Sequence, residues 1–207
     1  MDISVKSLFN NGRTCTNFAS KTVSKALLED VYDLAKMGPT SANTCPMRIV
    51  FVQSAGSRKK LLDCVMPGNV AAVQSAPVTA LFAYDERFID KMPILFPQNS
   101  GMAEYFKNPK VAHDTATRNA TLQAAYFMVI ARSRGLACGP MSGFDPIKLE
   151  TTFFQGSHWK ANFICNLGYA NGEPKYPRLP RLAFDDVCRV VDGVLHLHEI
   201  YQMLNGI

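Results

Sequence analysis

The chain has 207 residues, of which 47% are hydrophobic and 19% charged, and a formal net charge of +5. That balance belongs to one folded domain with a substantial core and excludes a disordered chain. The basic residues are scattered rather than run together, which argues against a nucleic-acid partner, while the mild positive field suits an anionic cofactor or substrate.

The opening run Met1-Asp2-Ile3-Ser4-Val5-Lys6 lacks the charged-then-apolar layout of a signal peptide. Ser4 to Asn10 reads as a first amphipathic helix. A second follows Ser24, a candidate N-cap, with Leu27, Leu28, Val31, Leu34 and Ala35 as one apolar stripe and Gly38-Pro39 as its stop. Thr40 to Pro46 is a polar loop of small residues. Arg48 to Val52 reads as a buried strand, Arg58 to Cys64 as a short helix, and Pro77 to Tyr84 as a second buried strand. The stretch Asp85–Lys110 carries several prolines with Phe88, Phe96, Tyr105 and Phe106; it reads as core or dimer surface, with a substrate lid as the alternative.

His113 to Arg134 is predicted as a long helix, apolar nearly all round from Leu122 to Ala131 and stopped by Gly135, so it belongs in the core or a subunit interface. Asn162 to Leu167 reads as a strand and Phe184 to Arg189 as a helix, with Asp185-Asp186 as its acidic first turn. Helices and strands mix without a βαβ rhythm, which predicts an α+β fold, a sheet flanked by helices. The organisation expected is one domain over 1–192 and a C-terminal tail over 193–207 with helical spacing. No apolar run has the length of a membrane span. The six cysteines, Cys15, Cys45, Cys64, Cys138, Cys165 and Cys188, stand singly. They read as reduced thiols packed as small apolar residues, and the expected location is therefore cytoplasmic.

Three segments carry candidate chemistry. Gly38-Pro39-Thr40-Ser41-Ala42-Asn43-Thr44-Cys45-Pro46 offers hydroxyls and an amide that can bond the polar edge of a flat heterocycle without adding charge; it also suits a plain connecting loop. Arg13, and Arg178 and Arg181 in a proline-fixed extended run, are forks suited to a phosphate or ordinary solvated charges. Gly135-Leu136-Ala137-Cys138-Gly139-Pro140-Met141-Ser142-Gly143-Phe144 allows a ligand close to the backbone, or is a helix-to-strand turn. His196-x-His198 has no third ligand nearby in sequence, His113 and His158 are isolated, and no metal site is expected. No Walker loop or G-x-G-x-x-G occurs, and no catalytic triad stands out.

Together these segments resemble the nitroreductase family over nearly the whole chain. The family's opening R-x-S-x-R and aromatic is matched by Arg13-Thr14-Cys15-Thr16-Asn17-Phe18, with cysteine for serine and asparagine for the second basic residue. Its P-S-S-x-N-x-Q-P loop is matched by Pro39-Thr40-Ser41-Ala42-Asn43-Thr44-Cys45-Pro46, and its G-L-x-x-G-P-x-x-G-F stretch by 135–144 with Ser142 at a commonly acidic position. Within the family the chain is similar to malonic semialdehyde reductases, also called 3-hydroxypropionate dehydrogenases, of pyrimidine breakdown. The runs that carry this are Gly38–Asn43, Arg118-Asn119-x-x-x-Gln123-Ala124-Ala125-Tyr126, Gly139–Asp145 and Arg178-Leu179-Pro180-Arg181-Leu182.

The resemblance implies a mostly antiparallel sheet flanked by helices, in an intertwined homodimer with FMN as cofactor and NADPH or NADH as reductant. Each flavin would be held by Arg13, Cys15, Asn69, the loop Pro140, Met141, Ser142 and Gly143, and Arg181 from one subunit. Thr40, Ser41 and Asn43 would come from the other. Thr14, Asn17, Pro39 and Arg178, an alternative to Arg181, complete the set. The activity implied is ping-pong hydride transfer through flavin N5 to malonic semialdehyde, with no protein nucleophile and Arg118 as the contact for the substrate carboxylate. A broad nitroaromatic or quinone reductase and a non-catalytic flavin-binding protein are the alternatives. Cysteine at 15 and asparagine at 17 imply weaker phosphate and ribityl contacts than in the family's commoner members.

Overall fold

Four strands form one antiparallel sheet in the order β1-β2-β4-β3, where β1 is Met47–Val52, β2 Val78–Asp85, β3 Ala137–Met141 and β4 Trp159–Gly168. The computed structural model describes residues 5–99, 101–174 and 176–191. Its internal contacts divide the chain into Met1–Pro174 and Lys175–Ile207. The boundary expected at 192 falls inside the second unit, and the tail 193–207 lies outside the described residues, as do His196 and His198.

β2 is buried at seven of its eight positions because both faces of the sheet are covered. One face carries Val78, Ala80 and Phe82 with Cys165, Leu167 and Cys138. Against it pack Leu28, Val31 and Ala35 of α2 (Lys25–Ala35) and Ala120, Ala124, Phe127 and Ala131 of α7 (Pro109–Ser133). The other face carries Leu81, Ala83 and Ile164. It is covered by Leu61 of α3 (Ala55–Leu62), Val73 of α4 (Val70–Ser75) and Leu149 of α8 (Pro146–Phe153). The buried positions of α7 recur at helical spacing, Ala112, Ala116, Ala120, Ala124, Phe127 and Ala131, so small side chains let this helix lie close to the sheet.

The helices start where capping chemistry allows. Ser24 and Ser54 accept from the third residue on, Asn108 caps ahead of Pro109, and Asp145 caps ahead of Pro146. α1 is Val5–Asn10. α3 begins three residues ahead of the predicted Arg58, and α7 four ahead of His113, because Ser54 and Asn108 are the actual caps. β3, α4 and α8 were not predicted. β3 contains Gly139-Pro140, which reads as a turn; it is tolerated as a strand because β3 lies at the sheet edge.

The aromatic stretch after β2 builds its own small core. A 3-10 turn over Phe88–Lys91, α5 (Met92–Leu95) and α6 (Met102–Tyr105) bring Phe88, Met92 and Phe106 onto Ala112 and Ala116 of α7. Phe88 and Phe106 meet edge to face with centroids 5.2 Å apart. Among the described residues, no helix is long and apolar enough to cross a membrane. In the second unit the described residues 176–191 are all exposed. α9 (Phe184–Val187) has the expected acidic first turn, and Asp186 accepts from the Ala183 amide at 3.0 Å.

Candidate functional site

Three segments far apart in sequence meet at the β3 edge of the sheet. Thr14 bridges Cys138 in parallel, and the Cys15 amide donates to the Cys138 carbonyl at 2.9 Å. This adds 13–15 alongside β3. A Cβ on Gly139 would lie 2.3 Å from the Cys15 carbonyl oxygen, so only glycine permits that approach. Just past the C-terminal end of the same strand, the Gly143 carbonyl accepts from the Met66 amide at 2.9 Å and from Asn69 Nδ2 at 2.9 Å. Asn69 is placed by a 3-10 turn over Pro67–Asn69, and the Val65–Phe144 bridge and the Asp145 amide on the Cys64 carbonyl (2.8 Å) zip 64–69 to 143–145. The structure thus sets Arg13–Cys15 beside the start of the 138–143 segment and Asn69 at its end.

Their side chains differ in what they offer. Arg13 is half-buried, and Thr14 and Ser142 are exposed. The Cys15 thiol is buried and donates to the Asn17 carbonyl at 3.1 Å. Burial pushes that thiol above its ordinary range. Cys15 therefore serves through its main chain. Asn17 is exposed, and its Nδ2 donates to the Asn171 carbonyl at 3.1 Å, tying the segment to the end of β4. None of these residues is acidic, so the donor set is a guanidinium, a hydroxyl, an amide and strand-edge backbone. That chemistry fits the phosphate and polar ring edge of a flavin mononucleotide.

Pro39, Thr40, Ser41 and Asn43 lie elsewhere, in the loop that feeds β1 at the opposite sheet edge. Three of its residues, none of them glycine, have left-handed backbone: Ala42 (φ 46°), Asn43 (φ 51°) and Cys45 (φ 40°). Ser41 and Asn43 are exposed, and Thr44 between them and the strand is fully buried. Thr40 Oγ1 accepts from the Cys45 amide at 3.3 Å, and the Cys45 thiol donates to Asn43 Oδ1 at 3.3 Å. Asn43 Nδ2 donates to the Leu95 carbonyl of α5 at 2.7 Å, and the Tyr126 hydroxyl to the Pro39 carbonyl at 3.2 Å.

Arg118 is exposed on α7, close enough to Asp114 to help Lys110, the principal cause, hold that carboxyl below the usual range. Arg178 and Arg181 belong to the second unit, where Arg181 Nη1 donates to the Leu179 and Pro180 carbonyls at 3.1 and 2.9 Å. His113 Nδ1 faces Glu86 at 3.1 Å, and His158 Nε2 faces Arg87 at 3.1 Å. All six cysteines are free; Cys15, Cys64, Cys138 and Cys165 are buried as expected, whereas Cys188 is exposed and Cys45 half-buried. Asn119 and Gln123, quoted above only as part of a resembling run, turn out to be buried amides that accept from the Ser41 and Met47 amides at 2.8 and 3.0 Å. Two carboxamides on a buried stripe of α7 made otherwise of alanines, Phe127 and Thr115 were the signal that could have found them.

The "Nitroreductase family" model matches residues 11–169. A protein of Rhodopseudomonas palustris (strain TIE-1), named "Putative NADH dehydrogenase/NAD(P)H nitroreductase", is 46% identical over 89% of this chain and 94% of its own length. The similarly named HadB of Ralstonia pickettii is 44% identical over 90% of this chain and 96% of its own. Among solved structures, a "putative nitroreductase in complex with FMN" from Exiguobacterium sibiricum 255-15 superposes with a TM-score of 0.82 at 18% identity, covering 91% of this chain and 98% of that one. A nitroreductase family protein from Streptococcus pneumoniae TIGR4 gives 0.74 at 20% identity, covering 91% and 100%. The helix-flanked antiparallel sheet is therefore a nitroreductase-like fold, and the chain belongs to the nitroreductase family.

Proposed function

We propose that this chain is an FMN-dependent NAD(P)H oxidoreductase that reduces malonic semialdehyde to 3-hydroxypropionate. The observation that carries the cofactor reading is that 13–15 pairs with β3 through main-chain bonds while Asn69 bonds Gly143, just past the end of that strand, through its side chain. Bound there, FMN would supply the redox chemistry, ping-pong hydride transfer between NAD(P)H and an acceptor. The chain's own residues bind and orient. Arg13 holds the phosphate as a charge-assisted fork, with Thr14 beside it. Asn69, braced on Gly143, and the Pro140–Gly143 backbone line the polar edge of the ring. Arg181, with Arg178 as its alternative, belongs to the second unit and enters this reading only through the resemblance.

The loop residues Pro39, Thr40, Ser41 and Asn43 are supplied by a second copy. In one protomer they precede β1, while Arg13–Cys15 lie outside β3, which is itself three strand spacings or about 14 Å from β1. A homodimer lets both sets share one flavin. Arg118, exposed on α7, receives the acceptor's carboxylate. A second reading, a broad nitroaromatic or quinone reductase, is favoured by the names of the relatives at 42–46% identity.

The test is the absorption spectrum of the purified protein before and after anaerobic NADPH, followed by rates with malonic semialdehyde and with a nitroaromatic. A yellow protein bleached by NADPH and turning over the semialdehyde faster is the expected result. Faster nitroaromatic turnover selects the second reading. A yellow protein that NADPH leaves unbleached means flavin binding without turnover. A colourless protein that refuses added FMN overturns the cofactor assignment.

A further inference from the structure

The loop 38–47 holds three non-glycine residues in a backbone region that side chains rarely adopt, yet its exposed groups are fixed in place. Beside the loop's own bonds and the Asn43 bond to the Leu95 carbonyl, one face of α7 holds it. Asn119, Gln123 and Tyr126 recur at spacings of four and three, so they stand in one line along the helix. Tyr126 and Asn119 take the loop itself, and Gln123 takes Met47, the first residue of β1, where the loop ends. Tyr126 bonds the Pro39 carbonyl, and its ring fills the space beside Gly38, where a Cβ would lie 2.1 Å from ring carbon Cδ2. Asn119 Oδ1 accepts from the Ser41 amide at 2.8 Å, and Gln123 Oε1 from the Met47 amide at 3.0 Å. The Asn119 amide is itself oriented, because its Nδ2 donates to the Thr115 carbonyl at 2.8 Å.

Asn119 and Gln123 are 3% and 4% exposed, among alanines and Phe127. Burying a carboxamide in such a stripe is unfavourable unless its hydrogen bonds are used. Here the two carboxamide oxygens are used, that of Asn119 on the irregular loop at Ser41 and that of Gln123 on the first residue of β1. Neither amide is within the set of residues assigned above to cofactor or substrate.

We propose that Asn119, Gln123 and Tyr126 are positioning residues that hold loop 38–47 in its left-handed form, so that Thr40, Ser41 and Asn43 are presented as a preformed donor set. This rests on the reading of that loop as a flavin-binding element. A loop ordered before binding loses less freedom on binding, so the template acts on cofactor affinity without touching the cofactor.

The test uses the full-length chain, FMN as the probe, and two near-isosteric variants, Asn119→Leu and Gln123→Met. Hydrogen exchange in the absence of FMN is expected to rise about tenfold at the Ser41 amide in the first and at the Met47 amide in the second, with the middle of β2 unchanged. FMN Kd, read by quenching of flavin fluorescence, is expected to weaken about tenfold in each. Gln123→Glu keeps an acceptor at the same reach and is expected to return the Kd to within about threefold of the parent. If the parent binds FMN and the variants bind it equally tightly, the proposal is overturned and the cofactor reading stands. If the parent takes up no FMN while both variants still release the loop, the cofactor reading fails and the template stands. Should Asn119→Leu not fold, exchange in the parent decides: Ser41 and Met47 amides that exchange as fast as exposed loop amides overturn the proposal.

Discussion

The β3-edge cluster and the 38–47 loop are built in opposite ways. The first is held by main chain. Cys15, Met66 and Asp145 amides bond carbonyls of Cys138, Gly143 and Cys64, and two glycines admit the approach. The second is held largely by side chains, those of Asn119, Gln123 and Tyr126 on one helix and those of Thr40, Asn43 and Cys45 in the loop, and it keeps an unfavourable backbone. The difference teaches where sequence change is tolerated. Cysteine for serine at 15 is accommodated because the side chain is not what makes the contact. A change at 119 or 123 removes the contact itself.

The largest test of that contrast is a glycine on the main-chain side. Gly139→Ala places Cβ 2.3 Å from a backbone oxygen with no flexible neighbour to yield. Destabilisation of about 3 kcal/mol is expected from the urea midpoint, with Arg13–Cys15 displaced from β3 and FMN uptake lost. An unchanged midpoint would break the claim that this edge depends on close backbone approach. On the side-chain side the matching change is Gly38→Ala, whose Cβ meets the Tyr126 ring. About 2 kcal/mol is expected, and Tyr126→Ala should remove most of it, because there the obstacle is a side chain. A double-mutant cycle showing no coupling between 38 and 126 would separate the loop from its helix.

The sequence made the scaffold legible and the site only partly so. The stripes of α2 and α7 and the apolar runs of β1 and β2 could be read locally, because burial repeats at the period of the element. β3 could not, since Gly139-Pro140 has turn character and becomes a strand only by pairing with Cys165 and Asn166. The link between Thr14 and Cys138 spans most of the domain and leaves no mark in either segment. Resemblance to known motifs named Arg13, Cys15, Asn69 and 140–143; the structure adds that 13–15 pairs with Cys138 and that Asn69 bonds Gly143. Asn119 and Gln123 were readable in principle, as amides four apart on a buried face.

Next in size is Arg13→Ala, which removes the one cation of the cluster within the first unit's 13–15 segment. FMN Kd should weaken by ten- to a hundredfold, roughly the worth of a charged hydrogen bond, while the urea midpoint stays put; Arg13→Lys should recover only part, having no fork. Equal Kd for parent and Arg13→Ala would remove the phosphate role. Arg118→Ala has a narrower signature. KM for malonic semialdehyde should rise about tenfold, and KM for a neutral nitroaromatic should not. Equal losses toward both would reassign Arg118 to structure.

The smallest expected effect bears on the contrast most directly. If Cys15 acts through its main chain, Cys15→Ser should leave stability within about 0.5 kcal/mol of the parent at pH 7 and FMN Kd unchanged. The pH profile then reports the side chain separately. Burial raises the folded thiol's pKa above its unfolded value, with the bond to the Asn17 carbonyl opposing. Below the unfolded pKa, about 8.5, both states are protonated and the two proteins should match. As pH climbs past that value the unfolded chain releases the Cys15 proton first, so the parent loses stability there and Cys15→Ser lacks this contribution. Urea midpoints that coincide up to about pH 8 and separate above it, with the serine variant higher, are the expected record. Separation already at pH 7, accompanied by altered FMN binding, would return the contact to the thiol and erase the difference between the two regions.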